Sequence, residues 1–337
     1  MHHKVIMLII IDCDIPFLHG VLEPYAQVQY VKGSQIDAQR VANADALIVR
    51  TRTRCNEELL RNSRVKIIAT ATIGTDHIDL DYCRSRGIEV HNAKGCNARG
   101  VLQWVAAALR HITHSDGKQP EDYTLGVVGV GAVGSLVAEY GRHWGFNTLE
   151  CDPPRKEREG GDFRSIEELA ERCDILTFHT PLDSSTHHLL DKELLERMRP
   201  GATIINASRG GVVDNSAVAN SSHRYLFDVW ENEPYIPADI LRRSDIATPH
   251  VAGYSIQGKA NATALSINAI AKYFGLPLDS WYPPQIAPST PRLISWAEMC
   301  ATIDDYYPIS EESNHLKQHP EEFEAIRNTY AYRNEYF

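Results

Sequence analysis

The length, composition and charge of this chain indicate a globular protein of the cytoplasm with more than one domain. Its 337 residues suggest two or three domains, and 43% hydrophobic and 23% charged residues are ordinary proportions. A net charge of −10 disfavours binding to nucleic acid, and no apolar run reaches the roughly 20 residues of a membrane span. The seven cysteines are scattered without a C-x-x-C pair, which indicates a reducing compartment and neither a disulfide framework nor a zinc site.

The first part of the chain alternates short apolar runs with helical patterns. The apolar runs predict strands at residues 5–11, 45–49, 66–71 and 87–91. Polar, charge-bearing stretches between them predict helices at residues 37–43 and 79–86. Alternation of this kind is typical of βαβ units, so we expect an α/β domain with a parallel sheet.

A second alternating block follows a helical stripe at residues 101–113. Two helices are predicted at residues 165–173 and 191–198, and the first opens with the capping box Ser165-x-x-Glu168. The predicted strands are the apolar runs at residues 125–128, 148–151, 174–178, 202–206 and 225–229. A further helix at 256–274 precedes a proline-punctuated, tyrosine-rich tail. This order predicts a second parallel-sheet domain and a C-terminal appendage.

A glycine-rich turn directly follows the first strand of the second block, and a helical pattern follows the turn. In this setting the motif G-x-G-x-x-G lets backbone and a helix N-terminus approach a pyrophosphate. Asp152 lies at the end of the next strand, where an acidic residue binds ribose hydroxyls and disfavours a 2′-phosphate. The sequence therefore predicts an NAD site, in which the turn contributes Gly129, Gly131, Ala132, Val133 and Gly134.

Three polar residues come after predicted strands of the same block. They are Arg209, Glu233 and His250. Ligands bind beyond the carboxyl ends of parallel strands, so these side chains could converge there. A histidine suits removal of a hydroxyl proton, a nearby carboxylate favours its imidazolium form, and an arginine can clamp a substrate carboxylate. Together they predict hydride transfer from a 2-hydroxy acid.

The order and spacing of these motifs resemble the D-isomer-specific 2-hydroxyacid dehydrogenase family over about residues 5–280. The matching signatures, besides the glycine turn, are Asn206-Ala207-Ser208-Arg209-Gly210 and His250-Val251-Ala252-Gly253. The resemblance implies an α/β fold of two doubly wound parallel-sheet domains, a Rossmann NAD domain inserted in a flavodoxin-like substrate domain, plus a small C-terminal dimerisation region. The implied boundaries are 1–99 and 253–278 for the substrate domain, 100–252 for the NAD domain and 279–337 for the appendage.

Other stretches are similar to the branch of that family that oxidises 4-phospho-D-erythronate in pyridoxal 5′-phosphate biosynthesis. The more discriminating ones are Cys151-Asp152-Pro153-Pro154-Arg155 and the H-x-A-G-Y stretch at 250–254. The resemblance implies a homodimer and a catalytic set of Arg209, Glu233 and His250, with His250 as the base. It implies NAD contacts at Asp152, Thr180, Ala207, Ser208, Arg209, Asp228 and Gly253. It implies substrate contacts at Thr51, Thr72 and Tyr254.

The residues themselves give separate support for a phosphorylated substrate. The stretch Arg50-Thr51-Arg52-Thr53-Arg54 follows a predicted strand, and on an extended backbone its three arginines would share one face. Guanidinium and hydroxyl groups suit phosphate, so we add Arg50 to the expected substrate contacts, with a solvent-facing basic loop as the alternative. No metal is expected, because His179, His187 and His188 lack the spacing of a zinc site.

The leading hypothesis is NAD-dependent oxidation of 4-phospho-D-erythronate to 3-hydroxy-2-oxo-4-phosphooxybutanoate. Another D-2-hydroxyacid dehydrogenase, such as one for 3-phosphoglycerate, stays open because the arginine-rich stretch suits either phosphorylated substrate. An NAD(H)-sensing binding protein without enzymatic activity is the alternative from another class. The acidic net charge and the lack of a basic or disordered partner-binding tail argue against it.

Overall fold

The computed structural model describes residues 7–337, which form two compact units. The first unit contains the described residues up to Asn97 together with Ile256–Pro288. The second unit contains Ala98–Ser255 and Ser289–Phe337. In the described part of the chain, no helix is both long enough and apolar enough to cross a membrane.

The first unit is built on a five-stranded parallel sheet. Its strands are β1 (Leu8–Asp12), β2 (Gln27–Val31), β3 (Ala46–Val49), β4 (Ile67–Thr70) and β5 (Glu89–Asn92), and its first helices are α1 (Ala38–Val41), α2 (Glu57–Leu60) and α3 (Leu80–Ser85). The strand order is β2-β1-β3-β4-β5, which is the flavodoxin-like order. The apolar-run criterion missed β2, because this edge strand is partly exposed and alternates polar with apolar residues.

The second unit contains a six-stranded parallel sheet and begins with the long helix α4 (Ala98–Asp116). The strands are β6 (Thr124–Val128), β7 (Asn147–Cys151), β8 (Ile175–Phe178), β9 (Thr203–Asn206), β10 (Arg224–Phe227) and β11 (Ile246–Ala247). The helices between them are α5 (Ala132–Trp144), α6 (Pro153–Glu159), α7 (Ile166–Arg172), α8 (Lys192–Arg197), α9 (Asn215–Ala219) and α10 (Ala238–Arg243). The strand order is β11-β10-β9-β8-β6-β7, so the winding direction reverses between β6 and β8. A ligand site is expected at such a reversal.

The helix α11 (Ile256–Phe274) returns the chain to the first unit and packs against β4 and β5. Its fully buried Ile267 and Ile270 join the core formed by Ile9 and Ile11 of β1. This burial of apolar surface on the sheet explains why residues distant in sequence from the first block complete it.

The C-terminal helices are α12 (Trp296–Tyr306), α13 (Ile309–Gln318) and α14 (Phe323–Asn328). Helix α12 packs against α4 and α13 packs against β11, where Met299 and Leu316 are fully buried. The boundaries implied by the sequence set residues 279–337 apart as an appendage. The structure divides that segment differently, because Pro288 ends the first unit and Ser289–Phe337 share the cores of the second.

Candidate active site

The glycine turn lies at the reversal point between β6 and β8. Gly129 has a φ of 83°, in the region that favours glycine, and a Cβ there would meet Thr180 Cγ2 at 2.8 Å. A Cβ on Gly134 would overlap the carbonyl oxygen of Gly129. Gly131 is the N-cap of α5, and a Cβ there would meet nothing within 4 Å among the described atoms. Two of the glycines therefore close the turn, and the third leaves its backbone accessible.

Open backbone at the start of α5 fits a dinucleotide. The first N–H groups of a helix lack partners within the helix and attract a pyrophosphate. Thr180, directly after β8, has a buried hydroxyl without a hydrogen-bond partner among residues 7–337. An unsatisfied buried hydroxyl is costly, and a ligand bound beside the turn could supply the missing partner.

Asp152 connects the end of β7 to the glycine turn. Its Oδ2 accepts a hydrogen bond of 2.8 Å from the Val130 N–H, and its Oδ1 caps α6 by accepting from the Arg155 N–H at 2.9 Å. The Arg155 guanidinium donates to the Val130 carbonyl at 2.8 Å and pairs with Glu159 at 2.8 Å. The carboxylate predicted to bind ribose therefore also shapes the turn that would hold the pyrophosphate.

Substitution of Gly134 and of Gly131 by alanine distinguishes a glycine that closes the turn from one that leaves room for the cofactor. We expect Gly134→Ala to lower the free energy of unfolding by about 1–3 kcal/mol, since the new methyl overlaps backbone. Gly131→Ala should leave that free energy unchanged and weaken NADH binding, because its methyl occupies the space that a pyrophosphate needs. Chemical denaturation and NADH fluorescence titration of both variants test this. Equal losses of stability would contradict the assignment of these two glycines.

His250 and Glu233 form a hydrogen-bonded pair in the second unit. His250 Nδ1 lies 2.8 Å from Glu233 Oε2, and their side chains are 32% and 19% exposed. Glu233 Oε1 accepts from the Trp230 N–H at 2.9 Å. Burial pushes the pKa of Glu233 upward, but the charge and hydrogen bond of His250, the Trp230 N–H and the charge of Arg327 together hold it below its usual value. Glu233 is therefore ionised at neutral pH and can only accept, so Nδ1 of His250 carries the proton, and in the neutral imidazole Nε2 is the acceptor.

Asp228 organises the loop that carries His250. Its backbone carbonyl accepts from the His250 N–H at 2.7 Å. Its carboxylate, which is 2% exposed, accepts from the N–H groups of Val251 at 2.8 Å and Ala252 at 3.0 Å, and from the Thr248 hydroxyl at 2.6 Å. Sequence reasoning proposed Asp228 as an NAD contact and did not anticipate this anchoring of the loop.

Arg209 lies on the loop after β9, half-buried, with Nη1 donating to the Ser208 carbonyl at 2.8 Å. Asn206 shapes this loop, because its amide nitrogen donates to the Arg209 carbonyl at 2.9 Å and its amide oxygen accepts from Ser208. A Cβ on Gly210 would overlap the backbone of Trp230. Close packing at Gly210 therefore sets the Arg209 loop against the segment that leads to Glu233.

The arginine-rich stretch of the first unit does not have the predicted conformation. Residues 50–53 form a turn closed by the Thr53 N–H on the Arg50 carbonyl at 3.1 Å, and the buried Thr53 hydroxyl donates to Gly33. The prediction of an extended stretch with three arginines on one face is therefore wrong. Arg50 lies beside the buried Asp12 at 3.3 Å and the exposed Asp14 at 3.0 Å, so much of its charge is already paired.

The two threonines expected to contact substrate also lie at carboxyl ends of strands in the first unit. Thr51 follows β3 and is exposed. Thr72 follows β4, where its hydroxyl donates to the Gly74 carbonyl at 2.9 Å and shares a hydrogen bond of 2.7 Å with Thr70. Thr70 in turn lies 3.1 Å from His77 Nε2. The environment of Thr72 is thus a small network of hydroxyl and imidazole groups.

Tyr254, the remaining expected substrate contact, follows the His250 loop. Its ring packs edge-on against Tyr330 at 5.7 Å and Tyr332 at 6.0 Å between centroids. Gly253, an expected NAD contact, approaches α4, because a Cβ on Gly100 would lie 3.3 Å from the Gly253 carbonyl carbon. Sequence reasoning did not associate the C-terminal tyrosines with this site, and no local motif marks them.

A histidine pair lies outside the catalytic set. His187 and His188 stack with centroids 4.1 Å apart, and His188 Nε2 is 2.6 Å from Glu231 Oε1. The other oxygen of Glu231 accepts from the Asn215 N–H at 3.0 Å. Both carboxylate oxygens therefore already have protein partners, although His187, His188 and Glu231 each place one potential ligand atom within 4.8 Å of the others. The hydrogen bond that Glu231 accepts from the Asn215 N–H connects this pair to the start of α9.

Comparisons with known proteins find relatives that match nearly the whole chain. A sequence model described as the D-isomer specific 2-hydroxyacid dehydrogenase, NAD binding domain, matches residues 98–252. The chain is 43% identical over 340 residues to erythronate-4-phosphate dehydrogenase of Bacteroides thetaiotaomicron, with 98% of this chain and 97% of the relative covered. The Escherichia coli enzyme of that name is 37% identical over 352 residues, with coverage of 98% and 92%. The structure of NAD⁺-bound 3-phosphoglycerate dehydrogenase from Entamoeba histolytica is similar with a TM-score of 0.68 at 25% identity, covering 81% of this chain and 98% of that one.

These matches confirm the predicted fold class of two parallel-sheet α/β domains. They also confirm NAD as the cofactor and the assignment as an NAD-dependent dehydrogenase. The identity extends over nearly the whole chain, well beyond the residues matched by the NAD domain. The chain therefore belongs to the erythronate-4-phosphate dehydrogenase family of D-isomer specific 2-hydroxyacid dehydrogenases.

Proposed function

We propose that this chain oxidises 4-phospho-D-erythronate to 3-hydroxy-2-oxo-4-phosphooxybutanoate with NAD, as a step in pyridoxal 5′-phosphate biosynthesis. The substrate assignment is supported by the name of relatives that are 37–43% identical over nearly the full chain. The observation that carries the chemistry is the 2.8 Å contact between His250 and Glu233 in the same unit as the glycine turn. This pair supplies a base, and the turn supplies the cofactor site.

In the proposed reaction the cofactor and each of the three catalytic residues have distinct roles. NAD held at the glycine turn would serve as the acceptor of the hydride that leaves C2 of the substrate. His250 takes the C2 hydroxyl proton on Nε2, while Glu233 holds Nδ1 and stabilises the imidazolium that forms. Arg209 binds the substrate carboxylate and polarises the C2 oxygen. The products are the 2-oxo acid, NADH and one proton, which leaves His250 for solvent.

We propose that substrate recognition uses Thr51, Thr72 and Tyr254, with Arg50 as a phosphate contact. The hydroxyl groups of Thr51 and Thr72 are at the carboxyl ends of strands, where ligands of parallel sheets bind. The pairing of Arg50 with Asp12 and Asp14 makes it a weaker phosphate ligand than its sequence suggested. We further propose a cytoplasmic homodimer to which residues 279–337 contribute.

A substrate panel tests the proposed function. We expect NAD reduction with 4-phospho-D-erythronate at a kcat/KM at least about 100-fold above that for D-erythronate, because charged hydrogen bonds to a phosphate contribute about 1.5–3 kcal/mol each. The measurement is NADH absorbance with both compounds and with 3-phospho-D-glycerate. Equal rates with and without phosphate would contradict the phosphate assignment. Faster turnover of 3-phosphoglycerate would favour the other dehydrogenase reaction.

A further inference from the structure

The loop that carries the catalytic histidine has an unfavourable backbone conformation. His250 has a φ of 58°, in the left-handed region that costs a residue with a side chain about 1 kcal/mol or more. Such a conformation persists only where surrounding contacts fix it. One set of contacts comes from Asp228, which accepts from the N–H groups of His250, Val251 and Ala252.

The carbonyl groups of the same loop are held by a residue near the C-terminus. Arg333 Nη2 donates to the Ala252 carbonyl at 2.7 Å and lies 3.4 Å from the Val251 carbonyl. Arg333 also forms a parallel backbone bridge with Ser255, whose hydroxyl donates to Glu335 at 2.6 Å. The loop after His250 is therefore anchored through its N–H groups by Asp228 and through its carbonyls by the C-terminal segment.

Arg333 is buried, and of its side-chain nitrogens Nη1 and Nη2 form hydrogen bonds whereas Nε has no partner among the described residues. The residue is 8% exposed, and a buried guanidinium is costly unless its N–H groups and charge are compensated. Its Nη1 donates to the Tyr330 hydroxyl at 2.6 Å, and its guanidinium lies 3.6 Å from the centroid of the Tyr307 ring. Tyr330 donates in turn to Glu312 at 2.6 Å. These partners fix the planar guanidinium group against the loop carbonyls.

We propose that Arg333 is a positioning residue that holds His250 in its reactive orientation. The inference rests on the proposed function, in which His250 accepts the substrate proton. Arg333 lies outside the residues matched by the NAD-domain model, which ends at residue 252. The C-terminal segment of this chain thus takes part in catalysis through the backbone of the His250 loop.

The test compares Arg333→Met with Arg333→Lys. Loss of the guanidinium should lower kcat by about 10-fold or more and change KM for NAD by less than about twofold, since positioning errors act on the chemical step. Lysine can reach one carbonyl but lacks the fork, so Arg333→Lys should recover part of the lost kcat. Amide hydrogen exchange of residues 250–255 should become faster in Arg333→Met.

The variant Leu316→Ala distinguishes a positioning role of Arg333 from a purely structural one. Leu316 is fully buried in α13 and packs in a different hydrophobic cluster from Ala252, so this variant destabilises the C-terminal packing and leaves the hydrogen-bonding groups of Arg333 in place. If both variants lose activity in proportion to stability, Arg333 is only structural and the proposal is overturned. Unchanged kcat in Arg333→Met overturns it as well. Failure of the proposed substrate would show as inactive wild-type protein, and hydrogen exchange would still report on the loop.

Discussion

Replacement of His250 by alanine should abolish most turnover while NADH still binds. General base catalysis by a positioned side chain contributes about 10²–10⁴-fold, so kcat/KM for the hydroxy acid should fall within that range. Nδ1 is held by Glu233 and cannot move to another partner without breaking a 2.8 Å contact. The acid limb of the pH profile of kcat/KM, which reports protonation of the base in the free enzyme, should disappear.

The His250 experiment needs controls for backbone strain and for surface effects. Asparagine tolerates positive φ better than alanine, so His250→Asn should be as inactive as His250→Ala and better folded. His143 is exposed on α5, and His143→Ala should match the wild-type protein. Retention of more than about a tenth of the activity in both His250 variants would remove this residue as the base. NADH titration checks that the cofactor site is intact.

Sequence reasoning located the parts of the site that are marked by patterns of neighbouring residues. The glycine turn, the strand ends and the residues after them are marked by spacing within a few residues, and the structure has a strand ending just before Gly129 and before Arg209. The parallel sheet of the first unit also followed from the alternation of apolar runs and helices, whereas its flavodoxin-like character was implied by the family resemblance.

The features that sequence reasoning missed depend on partners distant in the chain. Arg333 and the Ala252 carbonyl are separated by 81 positions, and no pattern around Arg333 distinguishes it from a surface arginine. The conformation of the arginine-rich stretch was predicted wrongly for a related reason. The Thr53 hydroxyl donates to the carbonyl of Gly33, 20 positions earlier, in a segment that was expected to continue extended after the predicted strand.

Replacement of Arg209 by alanine should lower kcat/KM by about 10²–10³-fold, the range found when one preorganised donor to developing charge is removed. Both kcat and KM for the hydroxy acid should change, because a guanidinium binds the carboxylate in the ground state and the C2 oxygen throughout the reaction. Arg209→Lys keeps the charge but loses the planar fork, so we expect it to recover only part of the activity.

A matched arginine of the second unit distinguishes this effect from a general loss of positive charge. Arg199 is 50% exposed and pairs with Asp174 at 2.8 Å, so Arg199→Ala should leave turnover unchanged. Steady-state kinetics of the three variants with varied hydroxy acid, together with NADH titration, make the comparison. Wild-type kinetics in Arg209→Ala would show that another group binds the carboxylate. A loss confined to NADH affinity would instead assign Arg209 to the cofactor, because its loop after β9 also carries Ala207 and Ser208, which are expected to contact NAD.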